Sequence, residues 1–317
     1  ATTASDDSEE DEDQPTTPPT SSAKTAPPEA VPSAGVASAT TPSAATTAAA
    51  SVSQQPKVFL WKGKRNNQTL YLLGTIHVLQ KGFYPLPHDI DRALSESDTL
   101  FLEAIAPDLK STQALMALQK KSGAYPSNDK LSKHLSPETL QQLREYLQWA
   151  GESLEMYEDS KPWLVDQLIG QAALKRSGFK PEYGIDLYLA NQAKVANKKI
   201  KGLETPESHI ELMAGFPDDV QDRTLRLSIK HLSALPTFVN EATQAWRSGD
   251  TERIEKLIMQ EAQQTPDTMA SYKKVIEKRN GIMCESLDKS MPASGTSFAA
   301  VGAAHIGGDN GLIKLLE

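Results

Sequence analysis

From Pro56 onward the chain alternates short apolar runs with long stretches of helical period. Val58-Phe59-Leu60-Trp61 and Thr69-Leu70-Tyr71-Leu72-Leu73 read as strands, and the polar Lys62 to Asn67 between them predicts a hairpin. Pro85 to Ser97 carries Ile90, Ala93 and Leu94 at helical spacing, and Thr99-Leu100-Phe101-Leu102 then reads as a short buried strand ending at Glu103. Strand, helix and strand within about 35 residues predict a βαβ unit and an α/β fold.

A helical middle comes next. Ser136-Pro137-Glu138 supplies a capping serine and a proline at the first helical position, and Leu140, Leu143 and Leu147 then share a face until Gly151 ends the run. Further helices are predicted over Pro162 to Arg176, Ile185 to Ala196, Asp250 to Gln263 and Thr268 to Leu287, and over much of Asp218 to Arg247, where Pro236 should kink or split the element. Two more strands are expected. Lys198 to Leu203 leads into Glu204, and Thr296 to Val301 leads into Gly302-Ala303-Ala304-His305. Asp309-Asn310-Gly311 should open a last helix running to Glu317.

Composition alters this picture at the amino terminus. The first 55 residues hold seven prolines, no aromatic residue, and only Val31, Val36 and Val52 as apolar residues beyond alanine. Too little apolar surface is available there to offset chain entropy, so residues 1–55 are expected to be a disordered acidic tail, leaving 56–317 as one domain. The tail also holds eight acids and one lysine, which is nearly all of the net −8. The near-neutral remainder, without a dense Lys/Arg run, argues against a nucleic-acid partner. The single cysteine, Cys284, excludes an internal disulfide framework and a cysteine-based zinc finger, and no apolar run is long enough to span a bilayer. A chain that opens on Ala1 suggests a removed signal peptide and hence a periplasmic or secreted protein.

The candidate chemistry lies where strands end. Gly74 to His77 and Gly302 to His305 are both Gly-x-x-His, while Leu102-Glu103 and Leu203-Glu204 close the other two strands. Ligands of open α/β sheets bind outside the carboxyl ends of the strands, so parallel neighbours would bring two imidazoles and two carboxylates to one edge. Such a set suits Zn, Mn, Co or Fe(II). The glycines are expected to let the backbone turn sharply and aim each histidine into a cleft. His88, His134, His209 and His231 read as ordinary surface or helix histidines. Asp186 opens a helix, where a dipole partner is the simplest role. Arg279-Asn280, inside a helical pattern, could hold a substrate or orient a ligand.

Gly74-Thr75-Ile76-His77, Phe101-Leu102-Glu103, Tyr183-Gly184-Ile185-Asp186, Gly202-Leu203-Glu204-Thr205, Arg279-Asn280 and Val301-Gly302-Ala303-Ala304-His305 occur in the order seen in TraB/GumN-type proteins. From about Val58 onward the chain resembles that family, which includes the animal Tiki ectodomains and is similar to the wider erythromycin-esterase and ChaN-like superfamily. The resemblance implies a central mixed β-sheet flanked by helices, with a large helical insertion at roughly 107–197 and 206–290, and a further strand and tail beyond Glu317. It also implies a metallopeptidase dependent on Mn or Co, with His77, His305 and Glu103 essential and with Glu204, Asp186, Arg279 and Asn280 at family-typical positions. The expected activity is an exported metal-dependent hydrolase acting on a peptide or small molecule. Arg279 would hold a carboxylate or a developing oxyanion, and Glu204 would be a fourth ligand or the general base. Two alternatives stand beside it. One is a non-catalytic haem-, iron- or peptide-binding protein of ChaN-like type. The other is a metal-free, esterase-like hydrolase in which a histidine activates water. No Gly-x-Ser-x-Gly elbow is present to supply a serine nucleophile.

Overall fold

The chain, in a computed structural model that describes residues 58–105 and 109–317, enters its sheet through a hairpin. The tail expected over residues 1–55 lies outside the described residues. Strand β1 (Leu60–Arg65) pairs antiparallel with β2 (Gln68–Thr75), from Leu60↔Leu73 to Arg65↔Gln68. Lys62 to Arg65, expected in the loop, is therefore strand, and the loop shrinks to Asn66 and Asn67. Asn66 takes φ 52°, the left-handed conformation that a two-residue hairpin demands and asparagine tolerates. β1 is an edge strand, and charged, exposed residues protect such an edge from pairing with another chain.

The remaining strands are β3 (Thr99–Leu102), β4 (Lys199–Gly202) and β5 (Gly295–Gly302), in the spatial order β1-β2-β5-β3-β4. β2 with β5, β5 with β3, and β3 with β4 are all parallel, so β1 alone makes the sheet mixed. All of β3 and the last six residues of β5 are buried, as expected for central strands covered on both faces.

Helix α1 (His88–Ser95), shorter than expected at both ends, joins β2 to β3 and buries Ile90, Ala93 and Leu94. Four helices separate β3 from β4: α2 (Leu109–Gly123), α3 (Pro137–Ala150), α4 (Pro162–Arg176) and α5 (Ile185–Val195). The Ser136 hydroxyl caps α3 by accepting from the Thr139 amide, and Gly151, at φ 75°, closes it. Six more helices separate β4 from β5. They are α6 (Pro206–Ala214), α7 (Asp218–His231), α8 (Leu235–Arg247), α9 (Thr251–Ala262), α10 (Pro266–Tyr272) and α11 (Lys278–Ser290). Pro236 falls in the first turn of α8, so the expected interruption is a clean break. The helix expected over Thr268 to Leu287 instead contains a π turn, Lys273–Glu277, between α10 and α11. The last helix, α12 (Leu312–Leu316), starts after Gly311 rather than at Asp309.

Two apolar cores result. One packs Phe59, Leu73, Phe101, Phe298, Trp246 and their neighbours around the sheet. The other, built from Leu143, Leu147, Val165, Ile169, Leu225 and Leu232, joins α3, α4 and α7. No described helix is long and apolar enough to cross a membrane.

Candidate active site

The four parallel strands finish close to one line, with Thr75 opposite Gly302, Leu102 opposite Ala300, and Leu102 opposite Gly202. Residues just beyond those ends therefore meet. The ladder runs slightly further, since the Glu103 amide donates to Ala300 O (3.2 Å) and the Glu204 amide to Glu103 O (2.9 Å). A short 3₁₀ turn, Ala303–His305, then directs His305 inward, where its side chain is 4% exposed. His77 lies at the mouth, with its side chain 58% exposed.

The two motif glycines provide space rather than turns. Neither is at positive φ. A Cβ on Gly74 would sit 2.4 Å from the Phe59 ring, and one on Gly302 would sit 3.0 Å from His77 Nε2 and 3.3 Å from Glu103 Oε2. Gly184 serves similarly, because a Cβ there would lie 2.4 Å from the His77 carbonyl oxygen. This close approach, with the Ile185 amide donating to Ile76 O (3.1 Å), seats the start of α5 against the His77 segment.

Each imidazole is fixed through Nδ1. Asp186 accepts from Thr75 Oγ1 (2.5 Å) and faces His77 Nδ1 at 2.8 Å, so this carboxylate orients the ring as well as sitting in the first turn of α5. Asn280 donates through Nδ2 to Asn310 O (2.7 Å), which leaves its Oδ1 to accept from His305 Nδ1 (2.6 Å). Both Nε2 atoms then face one carboxylate. His77 Nε2 is 3.8 Å from Glu103 Oε2, and His305 Nε2 is 3.8 Å from Glu103 Oε1. The Gly302 amide also donates to Glu103 Oε2 (3.0 Å).

Arg279 crosses this group from α11 with its N–H bonds directed at named acceptors. Nε donates to both Glu204 oxygens (3.2 and 2.9 Å), and Nη2 to Glu204 Oε2 (2.6 Å) and to Glu103 Oε1. Nη1 reaches Val275 O (3.2 Å) and His305 Nε2 (3.4 Å). The π turn ends directly before α11 and supplies the Val275 carbonyl; such turns recur at functional sites because one extra residue re-aims the side chains beyond it. Glu204 thus has both oxygens engaged by Arg279, and its side chain is 8% exposed.

These environments drive the two histidines apart. Partial desolvation at the mouth works against charge on the half-exposed His77, but the Asp186 hydrogen bond, the Asp186 charge and Glu103 outweigh it, and the pKa rises to about 9. Burial dominates at His305, and Arg279 and His77 add to it, so its pKa falls to about 4 despite Glu103. Burial alone would push Glu103 upward, yet the His305 and His77 rings, Arg279 and the Gly302 amide bring it down to about 2. Arg279 is desolvated, but its carboxylate partners raise its pKa above the ordinary value.

All seven residues singled out in the sequence therefore stand in one cluster: His77, Glu103, Asp186, Glu204, Arg279, Asn280 and His305. Two others escaped that reading. Thr75 braces Asp186, and its position inside Gly-Thr-Ile-His was the available signal. His209 on α6, read as an ordinary helical histidine, lies within electrostatic reach of Arg279, Glu103 and His77. Desolvation, then the Arg279 charge, holds its pKa below the usual value.

The donor set suits a divalent ion in chemistry. Two imidazoles are anchored through Nδ1 with Nε2 toward a carboxylate, the outer arrangement that histidine ligands commonly show. Ligands of one ion stand about 3–4 Å apart, and the two His–Glu103 separations of 3.8 Å fall in that range. Among the described residues, however, no three His, Cys, Asp or Glu side chains form a ready cation cage. Arg279 lies on the Glu103 oxygen that faces His305 and would have to yield it.

The chain is 25% identical over 256 residues to the uncharacterized protein YbaP of Escherichia coli K12, covering 79% of this chain and 89% of that one. The same identity and coverage relate it to the uncharacterized protein YbaP of Shigella flexneri. No solved structure is a significant match. The model of the TraB/PrgY/gumN family matches residues 59–317, which include every residue of the cluster, and the chain belongs to that family.

Proposed function

We propose that the strand-end cluster is the active site of a metal-dependent hydrolase acting on peptide bonds. One observation carries the proposal: two imidazole Nε2 atoms, each fixed through its own Nδ1, face the two oxygens of a single carboxylate at 3.8 Å. His77, His305 and Glu103 would hold Mn, Co or Zn, which when bound would polarise the scissile carbonyl and bring the pKa of water toward neutrality. Asp186 and Asn280 keep the two rings aimed. Glu204 grips Arg279 through Nε and Nη2, so the guanidinium stays in place if it releases Glu103. The Nη2 N–H released by Glu103 then offers a donor to a substrate carboxylate or a developing oxyanion. Metal analysis of the purified protein beside His77→Ala and His305→Ala tests this. The wild type should carry near-stoichiometric metal and both variants should lose it. Equal trace metal and equal peptidase activity in all three would defeat the assignment.

A second, metal-free reading has its own support in the split between the two histidines. His305, neutral with its Nε2 lone pair released from the long Arg279 Nη1 contact (3.4 Å), would take a proton from water, and the His77 imidazolium would return one to the leaving group. Arg279 would hold the oxyanion. Turnover that survives a chelator but is lost in Arg279→Lys would select this reading, because lysine cannot reproduce the guanidinium fork.

A further inference from the structure

Helix α4 carries a glycine where one is costly. Gly170 sits in mid-helix, a place where glycine is about 1 kcal/mol worse than alanine. No close approach accounts for it, since apart from its chain neighbours and the backbone of its own helix no atom lies within 4 Å of where its Cβ would stand. The open space belongs to a cavity of about 420 Å³ among α4, α7, α9, α10 and the π turn. Four residues earlier, on the same face of α4, Asp166 lines the same cavity. Much of the wall is apolar, with Leu227, Leu232, Ile258 and Val275 among its residues. A second acid, Glu261, also lines it and accepts from Gln264 Nε2 (2.7 Å). No lysine or arginine is among the described residues of the wall, and its histidine, His231, faces Glu261 (3.4 Å). Asp166 has the Ser228 hydroxyl beside it, and burial raises its pKa to about 6.

Asp166, set in a largely apolar wall with a hydroxyl and no described basic side chain as its partner, next to a notch that any side chain would fill, suits a particular class of guest. We propose that this cavity binds an organic cation with a short apolar body, its ammonium group on Asp166 and its hydrocarbon lying over Gly170. The volume falls in the range of small-molecule sites. A primary amine would exchange the Ser228 hydroxyl contact for a charge-assisted bond to the carboxylate. None of His77, Glu103, Glu204, Arg279 or His305 lines the cavity, so the proposal is independent of the hydrolytic one.

Calorimetric titration of the full chain with hexylammonium chloride tests it, with sodium hexanoate as the opposite-charge control. Wild type should bind hexylammonium saturably, one to one, and should not bind hexanoate. Asp166→Asn should weaken binding at least tenfold. Gly170→Leu, a better helix former that fills the notch, should abolish binding while circular dichroism and the melting temperature confirm the fold. Absence of saturable heat in wild type, unchanged binding in both variants, or equal affinity for hexanoate would each overturn the proposal.

Discussion

What each imidazole at the strand ends carries at neutral pH is decided by the acceptor on its Nδ1. Asp186 is a carboxylate and favours the imidazolium of His77, whereas Asn280 is a neutral amide that adds no charge to offset the burial of His305. Ring-proton NMR of protein stripped of metal should therefore show one histidine titrating near 9 and another near 4, the latter as the neutral Nδ1–H tautomer at pH 7. Asn280→Asp should move the lower titration upward toward the ordinary range. An unmoved titration would mean that some other group sets it. Three of the residues that meet at the edge, His77, Glu103 and His305, were legible because each follows an apolar run, the sequence mark of a strand end, whereas Glu204 follows the largely polar Lys198 to Gly202. The roles of Asn280 and Asp186 were not, because hydrogen bonds spanning 25 and 109 residues leave no local pattern.

Among the elements, β2 and β5 end in the same Gly-x-x-His motif, but their glycines answer to different neighbours. Gly74→Ala drives a methyl into Phe59, which is 1% exposed in the sheet core, and should cost about 1–3 kcal/mol in urea denaturation. Gly302→Ala meets the exposed His77 ring, which has room to move. It should cost less than about 1 kcal/mol while lowering the His77 titration from near 9. Equal losses of stability would contradict this division. In α4, the folded pKa of Asp166 is raised to about 6 from 3.8. The proton is held more tightly in the folded state, so that contribution is full below pH 3.8 and is lost as pH rises through 6. Asp166→Asn should match wild type in acid and gain stability over it between those values, then keep a constant advantage. A difference that does not change with pH would refute the assigned burial of the carboxyl. The π turn before Arg279 and the polar second half of β1 were hidden from the sequence for separate reasons. A single extra residue barely disturbs a helical period, and an edge strand needs no apolar alternation.

In the whole molecule, the sheet supplies four residues of the cluster and the inserted helices bring the rest. His77, Glu103, Glu204 and His305 come from strand ends, whereas Asp186 and Arg279-Asn280 arrive on α5 and α11, the helices that lead into β4 and β5. The strand–helix–strand rhythm made the α/β class legible. The order β2-β5-β3-β4, which places the last strand between the second and third, rests on packing between strands far apart in the chain and has no counterpart in local sequence. That order is what brings His305 to Glu103, and the hydrolytic account depends on it. The most direct test is cleavage of a random peptide library followed by mass spectrometry, using protein stripped with EDTA and then supplied with Mn²⁺ or Co²⁺. Cleavage should vanish on stripping, return with the ion, and stay absent in His77→Ala, His305→Ala and Glu103→Gln. Wild type that cleaves nothing with either ion restored, or variants that cleave as well as wild type, would contradict the account.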